Sequence, residues 1–252
     1  MSTLSHLEDE MHRLISEAQK EKIFLRLLGG LAVKVHSPLA AHRSLEREYP
    51  DIDFITDKAG AKKLADFLPA MGYVPNKVFN TLNGARRRLY YDEARDRQID
   101  IFIGDFTMCH NLPLTNRFHV EPLTIPLAEL FLTKAQIVHL NRKDVLDLLA
   151  LVLDHEAGQG DEETINVNLI AGLCAKDWGL YTTVSINLQK LPDFLAEGSV
   201  ELDENQAQTI KKRLAAIREA MDSIPKTLAW KLRARVGRRV RWYEEVEEVQ
   251  RT

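Results

Sequence analysis

Apolar and polar residues follow two different periods along the first half of the chain. From about Thr3 to Lys20 the apolar residues recur at helical spacing, which predicts an amphipathic helix. Three short, largely apolar segments follow, at 23–28, around Asp51 to Ile55 and at 97–103, and their length and composition predict strands. The first half is therefore expected to mix helices with a sheet.

The pattern changes after residue 125. Further strands are predicted at 85–91 and 117–125. From Pro126 onward nearly every segment has the helical period, with one interruption by a glycine-rich polar stretch. This interruption predicts an α+β domain at residues 1–157 and an all-helical domain at residues 158–252.

Three aspartates fall in or beside predicted strands, where carboxylates are unusual. Residues two apart on a strand share a face, so Asp51 and Asp53 project together, and Asp100 joins them if the two strands are neighbours. Carboxylates this close repel each other unless a cation lies between them, and their oxygens suit Mg²⁺ or Mn²⁺. Two such ions can clamp the attacking and leaving oxygens of a phosphoryl transfer. The alternative for Asp51 is a turn residue after Pro50.

A pair of glycines, Gly29 and Gly30, separates the first predicted strand from a short helix. Such a turn lets backbone N–H groups approach phosphate oxygens closely. Taken alone, a Gly-Gly pair is more often a plain strand-to-helix turn. Its meaning depends on the carboxylates that follow.

In this order, the glycines and aspartates resemble the signature of the DNA polymerase β-like nucleotidyltransferase superfamily. The matching residues are Leu28, Gly29, Gly30, Asp51, Asp53 and Asp100. The resemblance implies a nucleotidyltransferase core, with a mixed β-sheet flanked by helices, that transfers an NMP from an NTP to an acceptor. It also implies that the three aspartates are catalytic and bind two Mg²⁺ or Mn²⁺ ions, and that the two glycines hold NTP phosphates. The segment between Gly30 and Asp51 is longer than is usual in the superfamily.

Two later segments, 126–134 and 141–148, are similar to the AbiEii and MenT toxin-type nucleotidyltransferases. The similarity implies that Lys134 acts in catalysis by neutralising the triphosphate. It further implies that Asp144 and Asp147 belong to the active site. An RNA or protein acceptor and an antitoxin protein as partner are also implied.

Lys134, Asp144 and Asp147 can also be explained by purely structural roles. The stem of Lys134 can lie along the helix surface, as in most helical lysines. Asn141 is in the position of a helix N-cap, which places Asp144 where a carboxylate stabilises the start of a helix. Asp147 follows one helical turn later.

Three consecutive arginines form the densest basic cluster of the first domain, in the predicted strand before a polar turn at 92–96. Strand alternation sends Arg86 and Arg88 to one face, and we expect that face to bind the nucleotide triphosphate. The alternative is an edge strand protected by charge. His110 is a further candidate for the site, although a lone histidine is more often a structural hydrogen-bonding group than a base.

The end of the chain predicts a helix from Lys226 to Val249 that is basic first and acidic last. Its charged residues are Lys226, Lys231, Arg233, Arg235, Arg238, Arg239 and Arg241, then Glu244, Glu245, Glu247 and Glu248. The basic face is a candidate for RNA phosphates, with Trp230 and Trp242 available for stacking. The alternative is a solvated helix face.

Composition excludes little else. The 252 residues carry 34 basic and 37 acidic side chains, a net charge of −3, so any attraction to nucleic acid must be local. The two cysteines lack zinc spacing, no apolar run is long enough for a membrane span, and a cytoplasmic location is expected. Two other classes stay open: a small-molecule nucleotidyltransferase of the antibiotic type, and a non-catalytic nucleotide-binding module.

Overall fold

The computed structural model describes residues 3–38, 43–198 and 200–246. These residues form two compact units. The first unit is drawn from Met1–His36, Arg47–Phe106 and Pro113–Pro126, and the second from Ser37–Glu46, Thr107–Leu112 and Leu127–Thr252.

The first unit contains a five-stranded mixed sheet. Its strands are β1 (Arg26–Leu28), β2 (Ile52–Thr56), β3 (Val74–Pro75), β4 (Arg87–Asp92) and β5 (Arg97–Ile103). They lie in the order β1-β2-β5-β4-β3, in which β2 and β5 pair in parallel and the other pairs are antiparallel. Every residue of the central strand β5 is buried. The predicted α+β class with a mixed sheet is confirmed.

Helices in this unit connect or precede the strands. They are α1 (Leu7–Lys20), α2 (Gly29–His36), α3 (Lys58–Ala70) and α4 (Lys77–Asn83). Met11, Leu14 and Ala18 of α1 are buried, as its amphipathic pattern predicts. At the start of α3, the Asp57 carboxylate accepts a hydrogen bond from the Gly60 N–H at 2.6 Å, which caps the helix directly after β2.

The prediction of a strand at 117–125 is wrong. Residues Thr115–Arg117 form a 3₁₀ turn instead, and the later part makes only an isolated parallel bridge between Thr124 and Leu27. The sequence contains the reason, because Pro122 has no N–H to donate to a ladder. The segment still contacts β1, since the Leu27 N–H donates to the Leu123 carbonyl at 2.9 Å.

The second unit is largely helical. Its helices are α5 (Leu127–Ala135), α6 (Arg142–Asp154), α7 (Val167–Lys176), α8 (Trp178–Ala196), α9 (Glu204–Ser223) and α10 (Leu228–Val236), and the chain also forms short strands β6 (Phe106–Thr107), β7 (Asn111–Leu112), β8 (Glu156–Gly158) and β9 (Thr164–Asn166). The expected boundary after residue 157 lies inside this unit. The reason is that α5 and α6 are held by later helices: Asn187 of α8 donates to the Ala135 carbonyl, and Arg213 of α9 donates to the Val152 carbonyl.

The predicted C-terminal helix is shorter than expected. α10 ends at Val236, and the following residues Gly237–Arg239 form a 3₁₀ turn. Arg233 holds this turn by donating to the carbonyl oxygens of Gly237 and Val240. The predicted continuation through Glu247 and Glu248 to Val249 lies outside the described residues. Of the helices in the described ranges, none combines the length and apolar character needed to cross a bilayer.

Candidate functional site

In the first unit, the sheet brings the predicted carboxylates together. Asp53 of β2 pairs with Asp100 of β5 in parallel register, and Leu28 of β1 pairs with Asp53 from the other side. Asp51 directly precedes β2, and its carboxylate accepts a hydrogen bond from the Gln98 N–H at 3.3 Å. Backbone alternation places it on the same face as the other two. We call Asp51, Asp53 and Asp100 the aspartate row.

Arg87 of β4 binds the row at Asp100. Its Nε donates to both carboxylate oxygens of Asp100 at 2.9 Å, and its Nη2 donates to Oδ2. The Asp100 side chain is 4% exposed and the Arg87 side chain 23%, so water screens this ion pair poorly. Burial raises the pKa of Asp100, the guanidinium opposes that rise, and the charge of Asp51 adds to it.

Gly29 makes room for the aspartate row. Its φ is +72°, and a Cβ at this position would overlap the Asp53 carboxylate, whose Cγ lies 2.7 Å away from it. Only glycine combines this backbone conformation with that space. The turn between β1 and α2 therefore lies directly against Asp53.

Gly30 makes room for two residues outside any recognisable motif. A Cβ there would lie 2.9 Å from Cζ of Arg47 and 3.0 Å from Cδ1 of Tyr49. The Arg47 guanidinium in turn lies over the Tyr49 ring, with Cζ 4.1 Å from the ring centroid. Both residues come from the long segment between Gly30 and Asp51, which no periodicity or spacing marks as part of a site.

The aspartate row does not form a metal centre as it stands. Within the described ranges, no three His, Cys, Asp or Glu side chains are grouped so that they could hold a metal ion. The carboxylate oxygens suit Mg²⁺ or Mn²⁺ chemically, but Asp100 directs both of its oxygens at Arg87. In a cation site built on all three aspartates, the ion and Arg87 would bind the same carboxylate of Asp100.

The structure places the three consecutive arginines differently from the expectation. Arg88 lies on the far face of β4, where its guanidinium donates to the carbonyl oxygens of Gly84 and Ala61. Arg86 is exposed and precedes the strand. It is Arg87 that shares a face with the aspartate row.

Strand register explains which arginine faces the row. Across the hairpin Asp92 pairs with Arg97, so Leu89 pairs with Asp100 and Arg87 stands on the Asp100 face. The predicted turn at 92–96 would pair Tyr91 with Arg97 and so place Arg88 opposite Asp100. The observed pairing of Asp92 with Arg97 shifts the register by one residue, which brings Arg87 to the Asp100 face instead.

Lys134, Asp144 and Asp147 come together in the second unit. The Lys134 ammonium lies 3.2 Å from Asp144 Oδ1 and 2.9 Å from Asp147 Oδ2. The capping interpretation of Asn141 is confirmed, because its side chain accepts a hydrogen bond from the Asp144 N–H at 3.0 Å. Lys134 thus has two carboxylate partners within its own unit.

His110 is buried in the second unit. Its ring Nε2 lies 2.8 Å from the Thr183 hydroxyl, which also accepts a hydrogen bond from Trp242 Nε1. Burial lowers the pKa of His110, and the negative charge of Asp177 opposes this. A hydroxyl that accepts from Trp242 and donates to a neutral imidazole satisfies all three groups, which gives His110 a structural role.

Comparisons with known proteins add little to this geometry. No family model matches the chain, and no curated protein is recognisably similar to it. Among solved structures, the chain is similar to one described as "Crystal structure of putative nucleotidyltransferase from H. pylori", at 12% identity over 90% of this chain and 100% of that one. The TM-score is 0.35. A likeness this distant supports no functional argument, so the site is interpreted from its own register and contacts.

Proposed function

We propose that the protein is a nucleotidyltransferase that moves a nucleoside monophosphate from an NTP to an acceptor and releases pyrophosphate. One observation carries the proposal: β2 and β5 pair Asp53 with Asp100 directly beside the Gly29 turn. In this reaction an acceptor oxygen bonds to the α-phosphorus. The bond between that phosphorus and the bridging oxygen of pyrophosphate breaks, and the acceptor hydroxyl loses its proton.

The aspartates have different roles in this proposal. Asp53 is less buried than Asp100, so it is the carboxylate that meets the acceptor hydroxyl and takes its proton. Asp100 holds the Arg87 guanidinium on the same face, where its positive charge stabilises the transferring phosphoryl group. Asp51 adds a negative charge beside Asp53 and Asp100. A divalent cation at the row competes with Arg87, since both need the same oxygens of Asp100.

The acceptor is proposed to be RNA or a protein, as the toxin-type resemblance implies. The structure weakens one argument for RNA. Trp242 packs edge-on against Trp178, and Trp230 packs edge-on against Tyr181, so both rings already have partners within the unit. The main support for RNA is then the basic segment, through phosphate contacts, and a small-molecule acceptor is the competing proposal.

An isotope experiment tests the proposal. The protein is incubated with each α-labelled NTP, with Mg²⁺, Mn²⁺ or a chelator, and with total RNA, cell protein or candidate small molecules. We expect label to reach one acceptor class, and Asp53→Asn to abolish transfer while the fold is retained. Asp66→Asn, an exposed carboxylate on α3, is the matched control and should transfer normally. Equal transfer by Asp53→Asn would place the chemistry elsewhere.

A further inference from the structure

A cleft of about 730 Å³ opens within the first unit. Its lining comes from three places: residues 6–9 at the start of α1, Lys34 of α2, and residues 47–50 that lead into β2. The volume is within the range of small-molecule sites. The last lining residue, Pro50, is followed directly in the chain by Asp51 of the aspartate row.

Two cations in the cleft converge on one aromatic ring. Arg47 Cζ lies 4.1 Å from the centroid of Tyr49, and Lys34 Nζ lies 5.8 Å from it. The negative face of the ring stabilises both cations, but like charges held this close repel each other. An anion bound beside the ring would be attracted by both cations.

The existing partner of Lys34 does not prevent such binding. Lys34 pairs with Glu8, but the side chains are 41% and 53% exposed. Exposed ion pairs contribute little free energy, so a phosphate oxygen can replace the carboxylate. Glu8, Asp9 and Glu48 also line the cleft, so any attraction for an anion comes from the point where Lys34 and Arg47 meet the Tyr49 ring.

Arg47 connects this cationic part to the proposed reaction centre. Its guanidinium carbon lies 2.9 Å from where a Cβ of Gly30 would stand, and the preceding Gly29 lies against Asp53. Asp53 and Arg47 therefore lie against the same two-residue turn. Arginine suits this role, because its planar fork binds phosphate oxygens in pairs.

We infer that this cleft binds the β- and γ-phosphates of the NTP. Arg47 and Lys34 are the cations that bind the phosphates, and the Tyr49 ring holds these two side chains in position. The inference rests on the proposed function, because it assigns the part of the substrate that leaves as pyrophosphate. It moves the triphosphate contact from Lys134 to residues of the first unit.

Binding of tripolyphosphate and of each NTP, measured by titration calorimetry in a chelator, tests the inference without turnover. Wild-type protein should bind both, since the cations need no metal to attract phosphate. Arg47→Gln and Lys34→Gln should each weaken binding about tenfold. Glu48→Gln, which removes a negative charge from the same cleft, should strengthen it. Lys62→Gln, an exposed lysine outside the cleft, should leave it unchanged, and circular dichroism establishes that each variant is folded.

The outcomes separate this inference from the proposed function. No binding of tripolyphosphate by the wild type, or equal binding by wild type and Arg47→Gln, overturns the cleft assignment. If Arg47→Gln also transfers label with an unchanged KM, the function survives and the subsite does not. Arg47-dependent polyphosphate binding without transfer to any acceptor supports the cleft as a polyphosphate site and counts against the function.

Discussion

At the scale of single residues, the ion pair between Arg87 and Asp100 links the stability of the sheet to the chemistry of the aspartate row. Asp100 is buried on the central strand, so without a partner it would be an uncompensated charge in a poorly solvated place. Arg87 provides that partner. It also occupies the oxygens that a divalent cation would need.

Replacing Arg87 should therefore have two opposite effects. Arg87→Gln should lower the free energy of unfolding by about 3 kcal/mol in a chelator, because it leaves Asp100 buried and unpaired. Mg²⁺ or Mn²⁺ should then raise the Tm of the variant more than that of the wild type, since Asp100 becomes available. Arg88→Gln is the control, because it leaves no carboxylate unpaired. Equal cation-induced shifts in all three proteins would contradict the competition.

His110 predicts a pH dependence of stability. Burial keeps its pKa in the folded protein below that of the unfolded chain, so the unfolded chain binds the proton first as pH falls. The contribution to stability is complete above about pH 6.5 and declines as pH falls below that value. Urea unfolding at several pH values should show a shallower decline for His110→Gln, by at most about 1.4 kcal/mol per pH unit. Parallel pH profiles for the two proteins would contradict the assignment.

At the scale of elements, the contact between α5 and α6 depends on a largely buried cluster of one lysine and two aspartates. Lys134 is 14% exposed, and Asp147 is 1% exposed. Removing the lysine leaves two close carboxylates in a place that water hardly reaches. The cluster therefore contributes to the packing of the second unit whether or not it also meets a nucleotide.

Lys134→Met should cost about 3 kcal/mol of stability by this reasoning, measured by urea unfolding. Adding Asp147→Asn should recover part of the loss, because it removes one of the unpaired charges. NTP affinity of the folded protein should fall less than in Arg47→Gln. A large loss of NTP affinity in Lys134→Met without a loss of stability would restore the triphosphate role that the family resemblance implies.

The basic segment around the end of α10 offers a second test at this scale. Replacing Arg235, Arg238 and Arg239 together by Gln should weaken RNA binding and flatten the slope of log K against log salt by about 0.7 per lost contact. Replacing two exposed lysines of α9, Lys211 and Lys212, controls for general charge. An unchanged affinity and slope in the triple variant would remove this segment from the site and favour a small-molecule acceptor.

At the scale of the whole molecule, local rules of sequence predicted the sheet and the aspartate row. Short, largely apolar runs identified β2 and β5, and a carboxylate such as Asp100 in a buried strand was the local violation that indicated a site. Long-range contacts were harder to predict. The pairing of Arg87 with Asp100 depends on hairpin register, and the contact of Arg47 with Gly30 joins residues separated by an irregular segment. The second unit also includes Ser37–Glu46 and Thr107–Leu112, which no local pattern assigns to it.

The aspartate row beside Gly29 is where we propose that an NTP reacts. The most direct test is an experimental structure of the protein with a non-hydrolysable NTP analogue. We expect the α-phosphate beside Asp53 and Asp100, and the terminal phosphates against Arg47 and Lys34. An analogue bound away from the aspartate row, with Asp53 and Arg47 making no contact to it, would exclude this site.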